Sequence, residues 1–433
     1  MPTFRSATIG SLVVALTAAA IVALAAPATA APCGNRGGSG SSLIPGIGDF
    51  GSSSGSSSGR GNINAGPQGP LPAIIGGNTN AISWVTGPRS INRTLDRFGI
   101  SGTDLGISWD NGSGQTLMAF GDTFGDCGAA GQEWRHNVLL RSADVNLANG
   151  ITVPNPVPGD QNSGSVVTAE RPQFAQQIID ALDLPAVEIT TIPTAAISVG
   201  DIQYINYMSV RAWGDPGRWD TNYSAIAISQ DNGQTWVPQP ATVRVNSGVT
   251  IEGVEQLHAD NSNFQMGAYL RGDDDYIYQY GTPNGRYGAV YLARVKPADI
   301  LDLSKYQYYS NNPANHWPDT MGDLKAIAPA PVSEMSVAWN NHLKKYVMLH
   351  GIESQGQLVL RTADRPEGPW SDAKTLLNRT QTAGGIYAPY IHPASDGRYL
   401  YFTASRWSDY NVMLLRTDLD RPEFRSATVP ADG

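Results

Sequence analysis

Residues 103–124 read TDLGISWDNGSGQTLMAFGDTF, and NVLLRSAD follows at 137–144. A short apolar strand runs into an Asn-Gly-Ser-Gly turn, an aromatic-containing strand returns, and a third strand ends in Arg and Ser. Asn and Gly supply the backbone freedom of a tight turn, and the flanking residues alternate with the period of strands. The same order of strand types recurs in TAAISVGDIQYINYMSV (194–210) with SAIAISQDNGQTW (224–236), and in FQMGAYLRGDDDYIYQYG (264–281) with GAVYLARVKPAD (288–299). It returns in SEMSVAWNNHLKKYVMLHG (333–351) with QLVLRTADRPEGPW (357–370), and in GIYAPYIHPASDGRYLYFTAS (385–405) with NVMLLRTDL (411–419). Radial repetition of such units leaves only short, protected sheet edges. The expectation is therefore an all-β chain folded as a five-bladed β-propeller. A large sandwich or two β domains are the alternatives, and the shared strand order in all five units speaks against them. Residues 81–85 (AISWV) are suited to an outer strand on the last unit, closing the ring. One helix is expected between units one and two, with Thr168 as its cap and Phe174, Ile178 and Leu182 as its apolar stripe.

The N-terminus has a different character. Arg5, an apolar run over 9–26 and the triplet Ala28-Thr29-Ala30 form the pattern of a secretory signal peptide over residues 1–30. An uncleaved anchor is the alternative reading, and Pro32 before Cys33 argues against a lipoprotein signal. Residues 31–80, rich in Gly and Ser, have too little apolar surface to offset ordering entropy and read as a flexible linker. GIGDFG (46–51) and GSSSG (51–55) imitate nucleotide-binding and nucleophile motifs there, without the strand and helix that such motifs need. The propeller domain then spans 81–433. A secreted or cell-envelope protein is expected, with no membrane insertion of the mature chain.

The formal charge is −9, and the chain has no run of Lys or Arg. Such a chain repels phosphate backbones and anionic lipid, so nucleic acid is not an expected partner. Abundant Gly (47), Pro (29), Tyr (18) and Trp (10) suit a turn-rich β protein. The two cysteines, Cys33 and Cys127, cannot make a structural zinc site; an oxidising compartment allows one disulfide, and two unrelated thiols are the alternative. The six histidines have no paired ligand spacing, so no metal or cofactor is expected.

Unit one places two carboxylates in one hairpin. The midpoint between Asp104 and Asp122 is residue 113, inside the turn, so a regular hairpin would make them near-opposite, with Cβ atoms about 4.5–5.5 Å apart. Two facing acids repel, which recommends nothing for stability, whereas a carboxyl pair is what glycoside hydrolysis requires. Alternation puts Asp122 on the face of Met118, Phe120 and Phe124, where desolvation would raise its pKa and suit a proton donor. Asp104 shares a smaller, more polar strip with Gly106 and Ser108, suiting a nucleophile or base. Spacing alone leaves open that either residue caps a turn. SQDNGQTW (229–236) resembles the Asp-box of sialidases and other propellers, a structural turn remote from the active site.

TDLGISWD (103–110), FGDTFGDCG (120–128), EWRHNVLLRS (133–142) and YGTPNGRYGAVYLARV (280–295) together resemble the endo-D-arabinanase family, domain of unknown function 4185 or glycoside hydrolase family 183. The similarity covers about 82–419, and its most specific parts are Gly102-Thr103-Asp104-Leu105-Gly106 and Gly121-Asp122-Thr123-Phe124. The resemblance implies a five-bladed propeller with Asp104 and Asp122 as the catalytic pair, acting on internal α-D-arabinofuranosyl linkages of cell-wall D-arabinan. The expected partner is thus a cell-wall polysaccharide, and a monomer is expected. Trp134, Arg135 and Asn137 are expected to line the cleft; Glu334 is expected either to reach the axial mouth and bind a sugar hydroxyl or to cap a strand end. A core role is expected for Trp109, and a solvated turn rather than a calcium loop for Asp273, Asp274 and Asp275. Two rivals stand: a non-catalytic propeller that binds glycan or protein, and a five-bladed L-arabinanase or xylosidase that draws its acids from three blades. The unit-one acids have no counterparts in the other units, which favours an enzyme. Their near-opposite placement suggests the separation of about 5–5.5 Å found in retaining enzymes.

Overall fold

The computed structural model describes Cys33 and residues 63–182, 187–251 and 259–424. The signal segment and the two chance motifs at 46–55 lie outside these residues. After β1 (Thr79–Trp84), blade one contains β2 (Leu105–Asp110), β3 (Thr116–Phe120) and β4 (Val138–Ser142). Blade two contains β5 (Thr190–Val199), β6 (Ile202–Trp213), β7 (Trp219–Ser229) and β8 (Val237–Val245). Blade three contains β9 (Met266–Arg271), β10 (Ile277–Thr282), β11 (Gly288–Val295) and β12 (Gln307–Tyr308), with β13 (Ala328–Val332) on the other stretch of β11. Blade four contains β14 (Met335–Asn340), β15 (Lys345–Ile352), β16 (Gln357–Ala363) and β17 (Lys374–Asn378). β18 (Ile386–Ile391), β19 (Tyr399–Arg406) and β20 (Asn411–Asp418) form the fifth. Every blade is an antiparallel meander, and the inner strands β2, β5, β9, β14 and β18 neighbour one another in turn around the axis. This is the five-bladed propeller expected from the repeats.

Period-two alternation explains why the strands read as nearly continuous apolar runs. In blade one, Leu117, Ala119 and Leu139 pack toward blade two, against Ile192, Ile205 and Ala227. Their sequence neighbours Met118, Phe120, Val138 and Leu140 point the other way, against Val412 and Leu414 of blade five. Successive side chains face opposite sides of a sheet, so a blade held between two others must be apolar on both. The ring closes as expected: β1 pairs with β20 (Thr79 opposite Thr417, Trp84 opposite Met413) and supplies the outer strand of blade five. Trp109 has the expected core role, meeting Trp236 edge-on at 6.4 Å between blades one and two. The turn at 229–236 is structural too: Asp231 accepts from the Gln234 and Thr235 amides at 3.1 and 2.9 Å. Asp273, Asp274 and Asp275 occupy the turn between β9 and β10.

Two expectations are corrected. Residues 63–80 are packed rather than flexible. Gln68 donates to the Thr86 carbonyl at 2.8 Å, the Gly69 amide donates to Asp409 at 2.6 Å, and Leu71 and Ile74 pack on the core beneath β1. Few apolar side chains are needed when partners from the folded ring satisfy the backbone. The helix over 168–182 is absent as well. Phe174 and Ile178 are buried there, but Leu182 is 62% exposed. The backbone of this segment bonds outward, with the Asn137 side chain accepting from the Ile178 and Ile179 amides and Arg135 donating to the Ala175 carbonyl. External partners thereby replace the i to i−4 bonds a helix would make. Thr168 does cap, but only a turn, accepting from the Arg171 amide at 3.2 Å. Among the described residues the α-helix is instead α1 (Thr94–Phe98), ended by Gly99 at φ 62°.

Cys33 and Cys127 are joined, with Cα atoms 5.2 Å apart, tying the N-terminal segment to the loop after Asp122. They are 94 residues apart in sequence. Closing so long a loop restricts the unfolded chain, so Cys127→Ser is expected to lower unfolding free energy by about 2–4 kcal/mol. Urea denaturation of the variant beside oxidised wild type measures this, and equal midpoints would count against it.

Candidate active site

Loops at one end of the axis enclose a cavity of about 870 Å³ that reaches all five blades. Asp104 immediately precedes β2, Asp122 lies two residues past β3, and both line this cavity. They are not directly opposed, which corrects the regular-hairpin expectation. Ser108 faces Met118, a register that would carry Asp104 to Asp122, but a bulge between Leu105 and Ile107 shifts the pairing by one. Leu105 (φ 71°) and Gly106 (φ 83°) make that bulge, and the Gly121 amide bonds the Asp104 carbonyl at 3.2 Å. Bulges re-aim side chains next to functional sites. Gly121 is required here, since a Cβ would lie 2.7 Å from Asp104 Oδ1. The apolar face expected for Asp122 also ends early: Met118 and Phe120 point into the core toward blade five, and Phe124 alone of the three lines the cavity.

Asp104 Oδ2 accepts from the Tyr387 hydroxyl at 3.0 Å. Asp122 Oδ1 accepts from Thr190 Oγ1 at 2.9 Å and from Trp134 Nε1 at 3.2 Å. Burial pushes the Asp104 carboxyl up to about 7, aided by the charges of Asp122 and Glu334 and opposed by Tyr387 and Arg286. Burial likewise pushes Asp122 up to about 6, with Thr190 and Trp134 holding it back. Both side chains are part-exposed and line the cavity. The sequence reading raised only Asp122; in the structure burial raises both carboxyls.

Of the other expected residues, Trp134 and Glu334 line the cavity and Arg135 and Asn137 do not. Arg135 is buried, donating to the carbonyls of Gly99 and Ala175 and lying 4.0 Å from the Phe174 ring centroid. Asn137 is fully buried and braces the backbone at Ile178, Ile179 and Thr191. Both are structural, because they hold the irregular segment that replaced the expected helix. Glu334 is committed to Arg286 through a 2.8 Å ion pair and two further bonds at 3.1 Å, and Arg286 also reaches Glu353 at 3.2 Å. Its carboxylate is therefore fixed in place by that cation at the cavity wall.

Sequence reasoning passed over Tyr387, Tyr410, Arg286 and Trp407, all of which line the cavity. Arg286 lies 4.7 Å from the Tyr387 ring centroid, so a cation is held against the ring whose hydroxyl bonds Asp104. A usable signal existed. Asp104, Glu334 and Tyr387 each sit at the start of an inner strand, and superposing the units at that position brings them to one end of the axis.

Residues 89–416 match Domain of unknown function (DUF4185). The chain belongs to that family. DUF4185 similarity thus spans every blade but leaves out the outer strand β1. Notoamide biosynthesis cluster protein J of Aspergillus sp. (strain MF297-2) is 28% identical over 332 residues, covering 74% of this chain and 84% of its own. Protein J' of Aspergillus versicolor is 27% identical over 328 residues, covering 72% and 82%. Among solved structures, the GH43_1 enzyme of Xanthomonas citri is 13% identical with a TM-score of 0.42, covering 75% of this chain and 89% of that one. A glycosyl hydrolase of Bacteroides ovatus is 12% identical with a TM-score of 0.42, covering 82% and 97%.

Proposed function

We propose that this protein is a secreted glycoside hydrolase that cleaves internal α-D-arabinofuranosyl linkages of cell-wall D-arabinan. The observation that carries the reading is the carboxyl pair in one cavity, with Asp104 raised to about 7 and Asp122 to about 6. Between those two values such a pair holds one proton between two acids, the state that glycoside hydrolysis needs. Asp104 is the proton donor to the leaving oxygen. Asp122, held as a carboxylate by Thr190 and Trp134, is the nucleophile or base. The choice of D-arabinan rests on the Gly-Thr-Asp-Leu-Gly and Gly-Asp-Thr-Phe motifs and their resemblance to endo-D-arabinanases. The aromatic lining from Trp134, Trp213, Tyr390 and Trp407 suits a neutral polymer.

The experiment is incubation of the purified protein with D-arabinan, L-arabinan and xylan. Oligosaccharides released early from D-arabinan alone support the reading. Products only from L-arabinan or xylan transfer it to another glycosidase specificity, and binding without products makes the protein a glycan-binding propeller. Activity should follow a bell with limbs near pH 6 and pH 7, the apparent values belonging to the coupled pair. A profile flat from pH 5 to 8 would contradict it. NMR of the first anomer released decides between retention and inversion.

A further inference from the structure

We infer that the indole of Trp407 is a stacking platform for a neutral sugar ring of the bound chain, next to the unit held at Asp104 and Asp122. This rests on the glycan reading above and adds a binding position to it. Trp407 lies in the β19–β20 turn and lines the cavity while remaining 41% exposed. Its ring lies 5.5 Å from Tyr387 and 6.2 Å from Tyr410, at 65° and 83°, so neither tyrosine stacks on it in parallel. Tyr387 is the residue that donates to Asp104, which puts the indole one ring away from the carboxyl pair.

A scattered exposed aromatic needs no explanation, but this one is held by a braced turn. The Trp407 amide bonds the Gly385 carbonyl and the Ser408 amide bonds the Gly384 carbonyl, both at 2.9 Å. Gly384 and Gly385 have φ of 96° and 77°, and a Cβ on Gly384 would stand 2.2 Å from Ser408 Oγ. Below the turn, Arg406 and Asp409 form a 2.9 Å ion pair with side chains 16% and 5% exposed, and Asp409 also accepts from the Gly69 amide. Rigid support for an open apolar face lowers the entropy lost on binding. The C–H face of a sugar ring is the matching surface, and it needs no charge from a ligand entering an acidic cavity. Ser408 lines the cavity alongside; its hydroxyl donates to Asp409 Oδ2 at 2.7 Å and keeps lone pairs for a sugar hydroxyl.

The test compares wild type, Trp407→Ala and Trp407→Phe on the polymer that wild type cleaves. Trp407→Ala should raise KM about tenfold, the loss of one aromatic contact, with kcat little changed, and Trp407→Phe should fall between. Unchanged KM, or a fall in kcat with KM unaffected, overturns the platform and leaves Trp407 as packing for Tyr387. If wild type cleaves none of the three polymers, the hydrolase reading fails by itself, and affinity electrophoresis in the same polymers tests the platform alone. Retardation lost in Trp407→Ala then upholds it; equal or absent retardation overturns it.

Discussion

Asp104→Asn and Asp122→Asn are each expected to lower polymer turnover by about 10²–10⁴-fold, the loss that follows removal of a general acid or base. The fold should survive in both, because neither residue contributes to the apolar packing between blades. Stability should in fact move the other way. Each carboxyl is raised in the folded protein, so the folded state binds more protons than the unfolded chain between about pH 4 and the raised values. By linkage, stability from this pair falls as pH rises through that window. The penalty is absent below about pH 4 and complete above about pH 7. Asp104→Asn should therefore unfold at a higher denaturant concentration than wild type at about pH 8 and show no such gain at about pH 4. Near-wild-type turnover in either variant would make that residue structural. A variant less stable than wild type at alkaline pH would show that Asp104 is held as a stabilised carboxylate.

The second large effect concerns Arg286. Its side chain is 11% exposed and that of Glu334 is 7% exposed, so the ion pair between them is buried. Breaking a buried pair leaves an uncompensated charge. Arg286→Met is therefore expected to lower unfolding free energy by about 3–5 kcal/mol. Replacing both partners with apolar residues is less damaging, because only Glu353, whose side chain is 27% exposed, then loses its cation. The double variant Arg286→Met, Glu334→Leu should recover much of the loss in chemical denaturation. A double variant no more stable than the single one would mean that the cation supports the site through Tyr387 and Glu353 rather than through Glu334.

The candidate site was legible in part, and the division is informative. Asp104 and Asp122 stood out because one hairpin holds both, and local spacing suffices to bring the ends of a hairpin together. Trp134 followed from its nearness to Asp122 in sequence. Arg135 and Asn137 come from the same stretch and turn inward, because the 168–182 segment takes up their polar groups. That segment misled for the same reason. Its apolar spacing fits a helix, yet the spacing does not show whether backbone bonds close locally or onto a neighbour. The bulge at Leu105 was equally hidden: Gly106 permits it, but only the packing of the blade decides that the register shifts there.

The sequence by itself determined the class of fold, the number of blades and the closing strand. These depend on alternation and turn chemistry repeated five times, and such local patterns survive without knowledge of the contacts. It also determined that two acids sit at one end of unit one. The tertiary structure alone decided how those acids behave. Tyr387 lies 283 residues from Asp104 and reaches it only because the ring closes. Arg286, Glu334 and Glu353 meet across blades three and four. A carboxyl's pKa is set by burial and by nearby charge, and both are properties of what surrounds it in space. Blade one supplies the pair and Trp134, and Thr190, Glu334 and Tyr387 from other blades supply much of the rest of its environment.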